Sequence, residues 1–213
     1  MEGPLRPPPA DDFRLIETML WTPGGGVHRR ARHLARLVHS AARLGIAPRG
    51  VERALDGVTG NAPQRLRLTV ARDGQAELAA YPFTPLPPDT VWRLRLAGAR
   101  LSSADPWLGV KTTERALYEA ARADMPDGID ELIFLNERNE LCEGTITNLF
   151  VDPGTGVLLT PPLSSGVLPG ILREELIDSG RAREATLKQA DLCAPASVFV
   201  GNSLRGLIAA RLD

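Results

Sequence analysis

The stretch Glu143-Gly144-Thr145-Ile146-Thr147-Asn148-Leu149-Phe150 leads from a short polar run into an apolar one. The apolar residues predict a strand at 148–151, and two more strands are predicted at 131–135 and 157–160, with turns between them. A helix is predicted at 171–179, where Gly180 follows as a C-terminal cap. Strands mixed with helices in this way indicate a fold of the α/β (α+β) class.

Lys111 lies upstream of that stretch, in Gly109-Val110-Lys111-Thr112-Thr113. Residues 112–123 predict a helix with Thr112 or Thr113 as its N-cap. Lys111 would then precede the positive end of a helix dipole, which disfavours the ammonium form and lowers the pKa of the lysine. By themselves these residues favour a surface lysine beside a helix cap. Lys111 and Lys188 are the only lysines in the sequence.

The first part of the chain predicts a smaller lobe. Residues 13–21 are predicted as a strand, and 64–71 with 76–81 as a hairpin around Asp73-Gly74. A helix is predicted between them, because apolar residues recur at helical spacing on one face. These residues are Ala31, Leu34, Leu37, Val38, Ala41 and Leu44. A shorter helix is predicted at 50–55, and strands at 91–96 and 198–201. Four prolines between 82 and 89 are typical of a stiff linker. We therefore predict a small lobe over 1–85, with a loose Pro-rich tail over 1–12, and a larger lobe over 86–213.

Composition excludes several classes of function. The formal net charge of −1 over 213 residues gives no indication of a nucleic-acid partner or of an anionic membrane. Cys142 and Cys193 form no CxxC pair, and the three histidines lack the spacing of a metal site, so we predict reduced thiols and no metal. The sequence contains no long apolar run and no apolar leader, so we expect a cytoplasmic protein.

Four segments follow one another in a particular order. They are Phe13-Arg14-Leu15-Ile16-Glu17-Thr18 with His33-Leu34-Ala35-Arg36-Leu37, then Gly109 to Thr113, then Glu143 to Phe150, then Thr160-Pro161-Pro162-Leu163 with Leu168-Pro169-Gly170-Ile171-Leu172-Arg173 and Gly201-Asn202-Ser203-Leu204-Arg205-Gly206. In this order the chain resembles the class IV aminotransferases over roughly residues 13–208. The resemblance implies a two-lobed, D-amino-acid aminotransferase-like fold that uses pyridoxal 5'-phosphate (PLP) as cofactor.

The resemblance implies roles for three charged residues. Lys111 matches the lysine that holds PLP covalently and then moves a proton. Glu143 matches the acid that pairs with the pyridine nitrogen of the cofactor and keeps it protonated. Arg36 matches the arginine that binds the cofactor phosphate. Helical periodicity places Arg36 opposite the apolar stripe, where an arginine is ordinarily solvated.

Four further residues match turns of the family's cofactor site. Ile171 and Leu172 open a predicted helix, where backbone N–H groups would bind phosphate. Asn202 and Ser203 match a turn near the phosphate and the substrate carboxylate. An ordinary cap or turn is the alternative interpretation for both pairs.

Residues 15–18 and 201–207 are most similar to 4-amino-4-deoxychorismate lyases. The implied enzyme is a lyase of folate biosynthesis that forms 4-aminobenzoate and pyruvate, as a homodimer with a functional link to aminodeoxychorismate synthase. One alternative is a branched-chain or D-amino-acid aminotransferase, and another is a shortened, non-catalytic paralogue that binds PLP. The chain departs from the pattern at Glu114, where many relatives have asparagine, and Tyr118 lies too far along to match the tyrosine of branched-chain enzymes. The family's opening strands are expected to be replaced by the Pro-rich tail.

Overall fold

The computed structural model describes residues 12–193 and 197–213. The predicted tail at 1–12 therefore lies outside the described residues except for Asp12. Two compact units are present, one made of the chain up to Pro85 together with Val110–Glu114, the other of Leu86–Gly109 with Arg115–Asp213. In the described ranges, none of the helices combines the length and apolar character that crossing a bilayer requires.

The first unit consists of one sheet and two helices. In chain order its elements are β1 (Leu15–Thr22), β2 (Gly26–Val27), α1 (Arg30–Arg43), α2 (Val51–Asp56), β3 (Gln64–Val70) and β4 (Ala76–Pro82). The strand order is β2-β1-β3-β4, and all neighbours are antiparallel. The turn between β3 and β4 contains Gly74 at φ +86°, a conformation that glycine adopts without strain. These elements agree with the strand, helices and hairpin predicted from the sequence.

The buried face of α1 differs from the predicted one. His33, Arg36, Leu37, Ser40 and Ala41 are buried, which is an i, i+3, i+4, i+7, i+8 stripe. Val38, which the apolar spacing placed inside, has 62% of its surface exposed. The prediction that Arg36 lies on a solvated face was wrong, because only 8% of its surface is exposed. The stripe is rotated toward polar residues because a buried carboxylate on β1 pairs with them.

The second unit is built on an eight-stranded sheet. Its elements are β5 (Val91–Leu101), α3 (Ala116–Ala123), β6 (Glu131–Asn136), β7 (Leu141–Gly144), β8 (Asn148–Asp152), β9 (Leu158–Thr160), α4 (Ile171–Asp178), β10 (Ala182–Glu184), β11 (Ser197–Asn202) and β12 (Gly206–Leu212). The strand order is β10-β9-β8-β11-β12-β5-β6-β7. A further pairing of β7 with β8, at Glu143 and Asn148, closes six of these strands into a ring.

Burial on both faces explains the apolar run in the middle of β6. Every residue of β6 is buried, and β6 pairs in parallel with β5, an arrangement typical of a strand covered on both faces. The mixed α and β class is confirmed. The strands β7, β10 and β12 were not predicted, since the first two are three or four residues long and carry charged residues. The predicted helix at 112–123 begins only at Ala116.

Candidate active site

Lys111 is attached through its backbone to β1 of the first unit. Its carbonyl accepts a hydrogen bond from the N–H of Ile16 at 2.9 Å, and the N–H of Thr113 donates to the carbonyl of Arg14 at 2.9 Å. The N–H of Arg14 in turn donates to the Thr113 hydroxyl at 2.8 Å. Thr112, 1% exposed, forms an antiparallel bridge with Leu15. These bonds hold Lys111 in extended backbone along the edge of β1.

The position of Lys111 corrects the expectation about its electrostatics. Thr112 and Thr113 were predicted to open a helix, yet residues 111–113 pair with β1, and α3 begins three residues after Thr113. Neither threonine is the N-cap, which is Arg115. The predicted effect of a helix dipole on the lysine therefore has no structural basis. Residues 111–113 are extended and not helical because this pairing satisfies backbone N–H and C=O groups on both 111–113 and 14–16.

Arg36 is held by Glu17, a carboxylate in the middle of β1. The Nε atom of Arg36 donates to Oε1 of Glu17 at 2.8 Å, and Nη2 donates to Oε2 at 2.6 Å. His33, one turn earlier on α1, places Nδ1 2.6 Å from the same Oε2. Glu17 is 2% exposed and His33 is 1% exposed, so this is a buried polar cluster.

Electrostatics fixes the charge states in this cluster. Burial would raise the pKa of Glu17, but the positive charge of Arg36 and the hydrogen bonds from His33 and Arg36 outweigh it and lower the pKa to about 2. Burial lowers the pKa of His33, although the Glu17 carboxylate opposes that effect. Glu17 is therefore ionised and His33 neutral at pH 7, so His33 carries its proton on Nδ1 and donates it to Glu17.

Glu143 is the buried acid of the second unit. It lies on β7 with 6% of its surface exposed. The Tyr118 hydroxyl donates to Oε1 at 2.8 Å, while the Asn148 side-chain amide and the backbone N–H of Leu168 donate to Oε2 at 3.2 and 3.0 Å. Three neutral donors therefore orient the carboxylate. Glu143 is therefore not a solvent-exposed residue at the end of a strand.

The environment of Glu143 also affects its neighbours. Burial raises the pKa of the Tyr118 phenol, and the negative charge of Glu143 raises it further, so Tyr118 stays protonated and remains a donor. Burial, with Glu143 beside it, raises the pKa of the Cys142 thiol to about 12. In the described part of the chain, no group of three His, Cys, Asp or Glu side chains could hold a metal ion.

A second buried carboxylate shapes the turn after β7. Glu131 is 0% exposed and accepts hydrogen bonds from the backbone N–H groups of Thr145 and Ile146, at 3.0 and 3.1 Å. The hydroxyls of Thr145 and Thr147 donate to it at 2.5 and 2.9 Å. A Cβ at Gly144 would lie 2.7 Å from the Glu131 carboxylate, so the glycine is required for this close approach. The turn is therefore folded around Glu131.

Helix α4 begins next to the Glu143 network. Its N-cap, Gly170, packs against the Asn148 side chain so closely that a Cβ there would overlap the amide oxygen. Ile171 and Leu172 are buried, and no side chain caps the helix. Within the residues that the structure describes, no acceptor lies opposite the N–H groups of Ile171 and Leu172. Such a helix start is suited to an anion.

Asn202 organises the turn between β11 and β12. Its side-chain oxygen accepts from the N–H groups of Leu204 and Arg205 at 3.1 and 2.9 Å, and its amide donates to the carbonyl of Ile146 at 3.2 Å. Ser203 lies in the same turn and is 7% exposed. A Cβ at Gly201 would lie 2.9 Å from the Leu172 side chain, so the turn is adjacent to the start of α4.

The predicted residues thus fall into two groups. Arg36 and Lys111 attach to successive residues of β1, Glu17 and Ile16. Glu143, Ile171, Leu172, Asn202 and Ser203 lie in one contact network of the second unit. Sequence reasoning missed Glu17, His33, Tyr118 and Asn148 as members of these groups. Glu17 had a detectable signal, because it is the one charged residue among the alternating positions Leu15, Met19 and Trp21.

Comparisons with known proteins identify the family and the fold of the chain. The family model for amino-transferase class IV matches residues 14–212. A solved structure from Mesorhizobium loti, assigned as an amino-acid aminotransferase, is 51% identical and superposes with a TM-score of 0.88 over 95% of this chain and 100% of that one. The resemblance to class IV aminotransferases and the class of fold predicted from the sequence are thereby confirmed.

Two relatives are similar over shorter regions. A protein of Thermotoga maritima assigned as a branched-chain-amino-acid aminotransferase is 35% identical over 80 residues, which is 38% of this chain and 29% of that protein. The aminodeoxychorismate lyase of Saccharomyces cerevisiae is 31% identical over 124 residues, which is 50% of this chain and 33% of the lyase. The matched regions therefore span a third or less of both relatives.

Proposed function

The chain belongs to the class IV aminotransferases, a family of PLP-dependent enzymes that act on small-molecule amines, and we propose that it is a 4-amino-4-deoxychorismate lyase. The products would be 4-aminobenzoate and pyruvate. The observation that carries a PLP site is the buried Glu143 carboxylate, oriented by three neutral donors beside the uncapped start of α4. A carboxylate that is held in one orientation in this way is suited to accept a hydrogen bond from a protonated ring nitrogen.

The residues present would fit PLP at its ring nitrogen, its point of covalent attachment and its phosphate. Glu143 would pair with the pyridinium nitrogen, and Lys111 would hold the cofactor covalently. The N–H groups of Ile171 and Leu172, with the Arg36 guanidinium, would bind the phosphate. Asn202 and Ser203 would complete the turn beside the phosphate and the substrate carboxylate. We also propose that residues 1–85 and 86–213 act as a small lobe and a larger PLP-binding lobe.

Lys111 would be the catalytic base. PLP, when bound, supplies an electron sink for negative charge that develops on the carbon attached to the substrate nitrogen. The Lys111 amine, once displaced by the substrate amine, would accept the proton from that carbon. Glu143 would keep the ring nitrogen protonated throughout. Because the departure of pyruvate makes the substrate ring aromatic, the lyase step needs no keto-acid partner.

Support for the lyase comes from the segment at 15–18, the turn at 201–207 and the alignment with the yeast lyase, which is longer than that with the Thermotoga protein. We further propose a cytoplasmic homodimer that acts in folate biosynthesis and receives its substrate from an aminodeoxychorismate synthase.

The second candidate is an amino-acid aminotransferase. It is favoured by the Mesorhizobium loti protein, which is 51% identical and aligned over its whole length. In that reaction Lys111 would again carry the proton, and a keto acid would be the second substrate. The two candidates share Lys111, Glu143 and the phosphate-binding groups, so only an assay with both kinds of substrate separates them.

The covalent cofactor can be tested before any activity. The protein is incubated with PLP, reduced with borohydride, digested and analysed by mass spectrometry. We expect the fixed cofactor on the peptide that contains Lys111, and its loss in Lys111→Ala. Lys188→Ala is the matched control and should bind PLP as the parent does. A colourless parent protein without fixed PLP would exclude both proposed reactions and would also contradict a paralogue that binds PLP.

A paired assay then tests the reaction. One arm supplies enzymatically generated 4-amino-4-deoxychorismate and follows 4-aminobenzoate and pyruvate. The other supplies a panel of branched-chain and D-amino acids with 2-oxoglutarate or pyruvate. We expect lysis that requires Lys111 and survives Lys188→Ala. Transamination without lysis would establish the second candidate, and the absence of both from a PLP-loaded protein would exclude both reactions.

A further inference from the structure

We infer that Tyr118 is a positioning residue, whose hydroxyl fixes the Glu143 oxygen that would receive the cofactor ring nitrogen. The inference rests on the proposed PLP site. Tyr118 lies seven residues after Lys111, on a helix, whereas Glu143 lies on a strand of the following hairpin. The hydroxyl of Tyr118 lies 2.8 Å from Oε1 of Glu143.

The distribution of donors on Glu143 shows why Oε1 is the relevant atom. Oε2 accepts from Asn148 and from the backbone of Leu168, which uses both of its in-plane lone pairs. Oε1 accepts from Tyr118, and a carboxylate oxygen can accept from two donors. A ring N–H would therefore be directed to the same oxygen that Tyr118 holds. Tyr118 would share that oxygen with the cofactor without touching the reacting atoms.

Tyr118 is itself held in place from both sides. Its ring packs edge-to-face on Phe134, with 5.2 Å between centroids and an interplanar angle of 70°. The guanidinium of Arg115 lies over the ring, 4.8 Å from its centroid. Arg115 also donates to the carbonyl of Thr145, which ties α3 to the turn after β7. The side chain is 8% exposed, so the hydroxyl has little freedom to leave Glu143.

Hydrogen bonding by Tyr118 also changes how strongly Glu143 acts on a positive charge. A donor on Oε1 spreads the negative charge of the carboxylate, so its loss leaves a stronger field at the ring nitrogen. The other titratable or charged groups against Tyr118 are Arg115 on its own helix and Cys142 on β7. Removal of the hydroxyl should therefore stabilise the protonated form of bound PLP and raise the pH at which its visible absorbance changes.

The chain offers a matched pair of variants, since Tyr81 is the second of its two tyrosines. Tyr118→Phe removes the donor and keeps the ring, whereas Tyr81→Phe removes a hydroxyl from a residue that is 41% exposed. We expect both variants to fold and to fix PLP on Lys111. The pH midpoint of the visible band should rise by roughly half to one pH unit in Tyr118→Phe, as one neutral donor on a carboxylate implies. Tyr81→Phe should match the parent.

Fluorotyrosine provides a change of opposite sign. In the Tyr81→Phe background Tyr118 is the single tyrosine, so biosynthetic incorporation modifies that position alone. The fluorinated phenol is more acidic and a stronger donor, so the midpoint should fall below that of the parent. A residue that only fills space would not move the midpoint in opposite directions.

Each outcome decides the inference. Opposite shifts in the two proteins support it, whereas a midpoint in Tyr118→Phe equal to that of the parent overturns it and leaves the proposed cofactor intact. A Tyr118→Phe protein that melts like the parent but no longer binds PLP would also overturn it, because the stronger Glu143 charge should retain the cofactor. A parent protein that fixes no PLP on Lys111 would overturn both the inference and the proposed function.

Discussion

Arg36 and Glu17 form a bidentate ion pair, with Nε of Arg36 2.8 Å from Oε1 of Glu17 and Nη2 2.6 Å from Oε2. The pair is buried, because the two side chains are 7% and 2% exposed. A second arginine–glutamate pair of similar form, Arg14 with Glu77 at 2.5 and 2.7 Å, lies on the surface of the same unit. The same kind of ion pair is therefore present once in the protein interior and once on the surface.

Substitution of Glu17 should be far more damaging than substitution of Glu77. Glu17→Gln leaves Arg36 buried without its counter-charge, which should lower the free energy of unfolding by about 3–5 kcal/mol. Glu77→Gln breaks an exposed pair, in which solvent screens both charges, and should have a much smaller effect. Urea denaturation of both variants at neutral pH measures the difference. Equal losses would contradict the buried placement of Arg36.

Stability should fall on acidification in two stages. The folded pKa of His33 lies below its ordinary value of 6.5, so the unfolded chain binds that proton more readily. The stability due to His33 is complete above pH 6.5 and is lost as the pH falls through 6.5 toward the folded pKa. Glu17, with a folded pKa of about 2 against 4.5, adds a further loss as the pH falls below 4.5.

The first stage can be assigned to its residue. His33→Gln should flatten the change in urea midpoint between pH values above and below 6.5. His39 lies on the same helix and is exposed, so His39→Gln should retain the parent's pH dependence. A parent-like slope in His33→Gln would show that another group binds the proton.

Gly170→Ala should damage both the fold and the cofactor site. The new Cβ would overlap the Asn148 amide, which could move only by giving up its hydrogen bonds to Glu143 and Leu168. We expect a loss of roughly 1–3 kcal/mol in the free energy of unfolding, as in other overpacked interiors, and weaker PLP binding. Gly98→Ala is the control, since no atom lies within 4 Å of a Cβ there.

The two cysteines should differ in reactivity. Cys142 is buried and its pKa is raised to about 12 by burial and by Glu143, whereas Cys193 is exposed. A thiol reagent such as Ellman's should titrate one thiol in the native protein and two after unfolding, because the thiolate is the reactive form. Cys193→Ser should leave the native protein unreactive. Rapid native reaction in that variant would contradict the burial of Cys142.

Local sequence patterns were sufficient for most elements of the fold. Helix α1, the β3–β4 hairpin and α4 follow from apolar spacing and from turn residues, which are short-range properties. Strand β7 was missed because Leu141–Gly144 is four residues long and its pairing with β6 and β8 is not a local property. The start of α3 was misplaced because residues 111–113 pair with a strand almost a hundred residues earlier.

The site residues that the resemblance named could be predicted from the sequence. Their burial and their hydrogen-bond partners could not, because both depend on residues distant in sequence. The burial of Arg36 depends on Glu17, nineteen positions away, and helical periodicity carries no information about that partner. Tyr118 likewise gains its contact with Glu143 through the tertiary fold, 25 positions apart in sequence. Charged residues on an otherwise apolar strand, such as Glu17, are the local signal that such a partner exists.

The attachment of Val110–Glu114 to the first unit limits how this protein can be divided. A fragment that ends at Pro85 would have β1 without the segment that bonds to Arg14 and Ile16. Its N–H and C=O groups there would form an open edge, which invites pairing with other chains. Recombinant expression of that lobe by itself should therefore give aggregates, whereas a circularly permuted gene that encodes residues 110–114 next to it should give a soluble product.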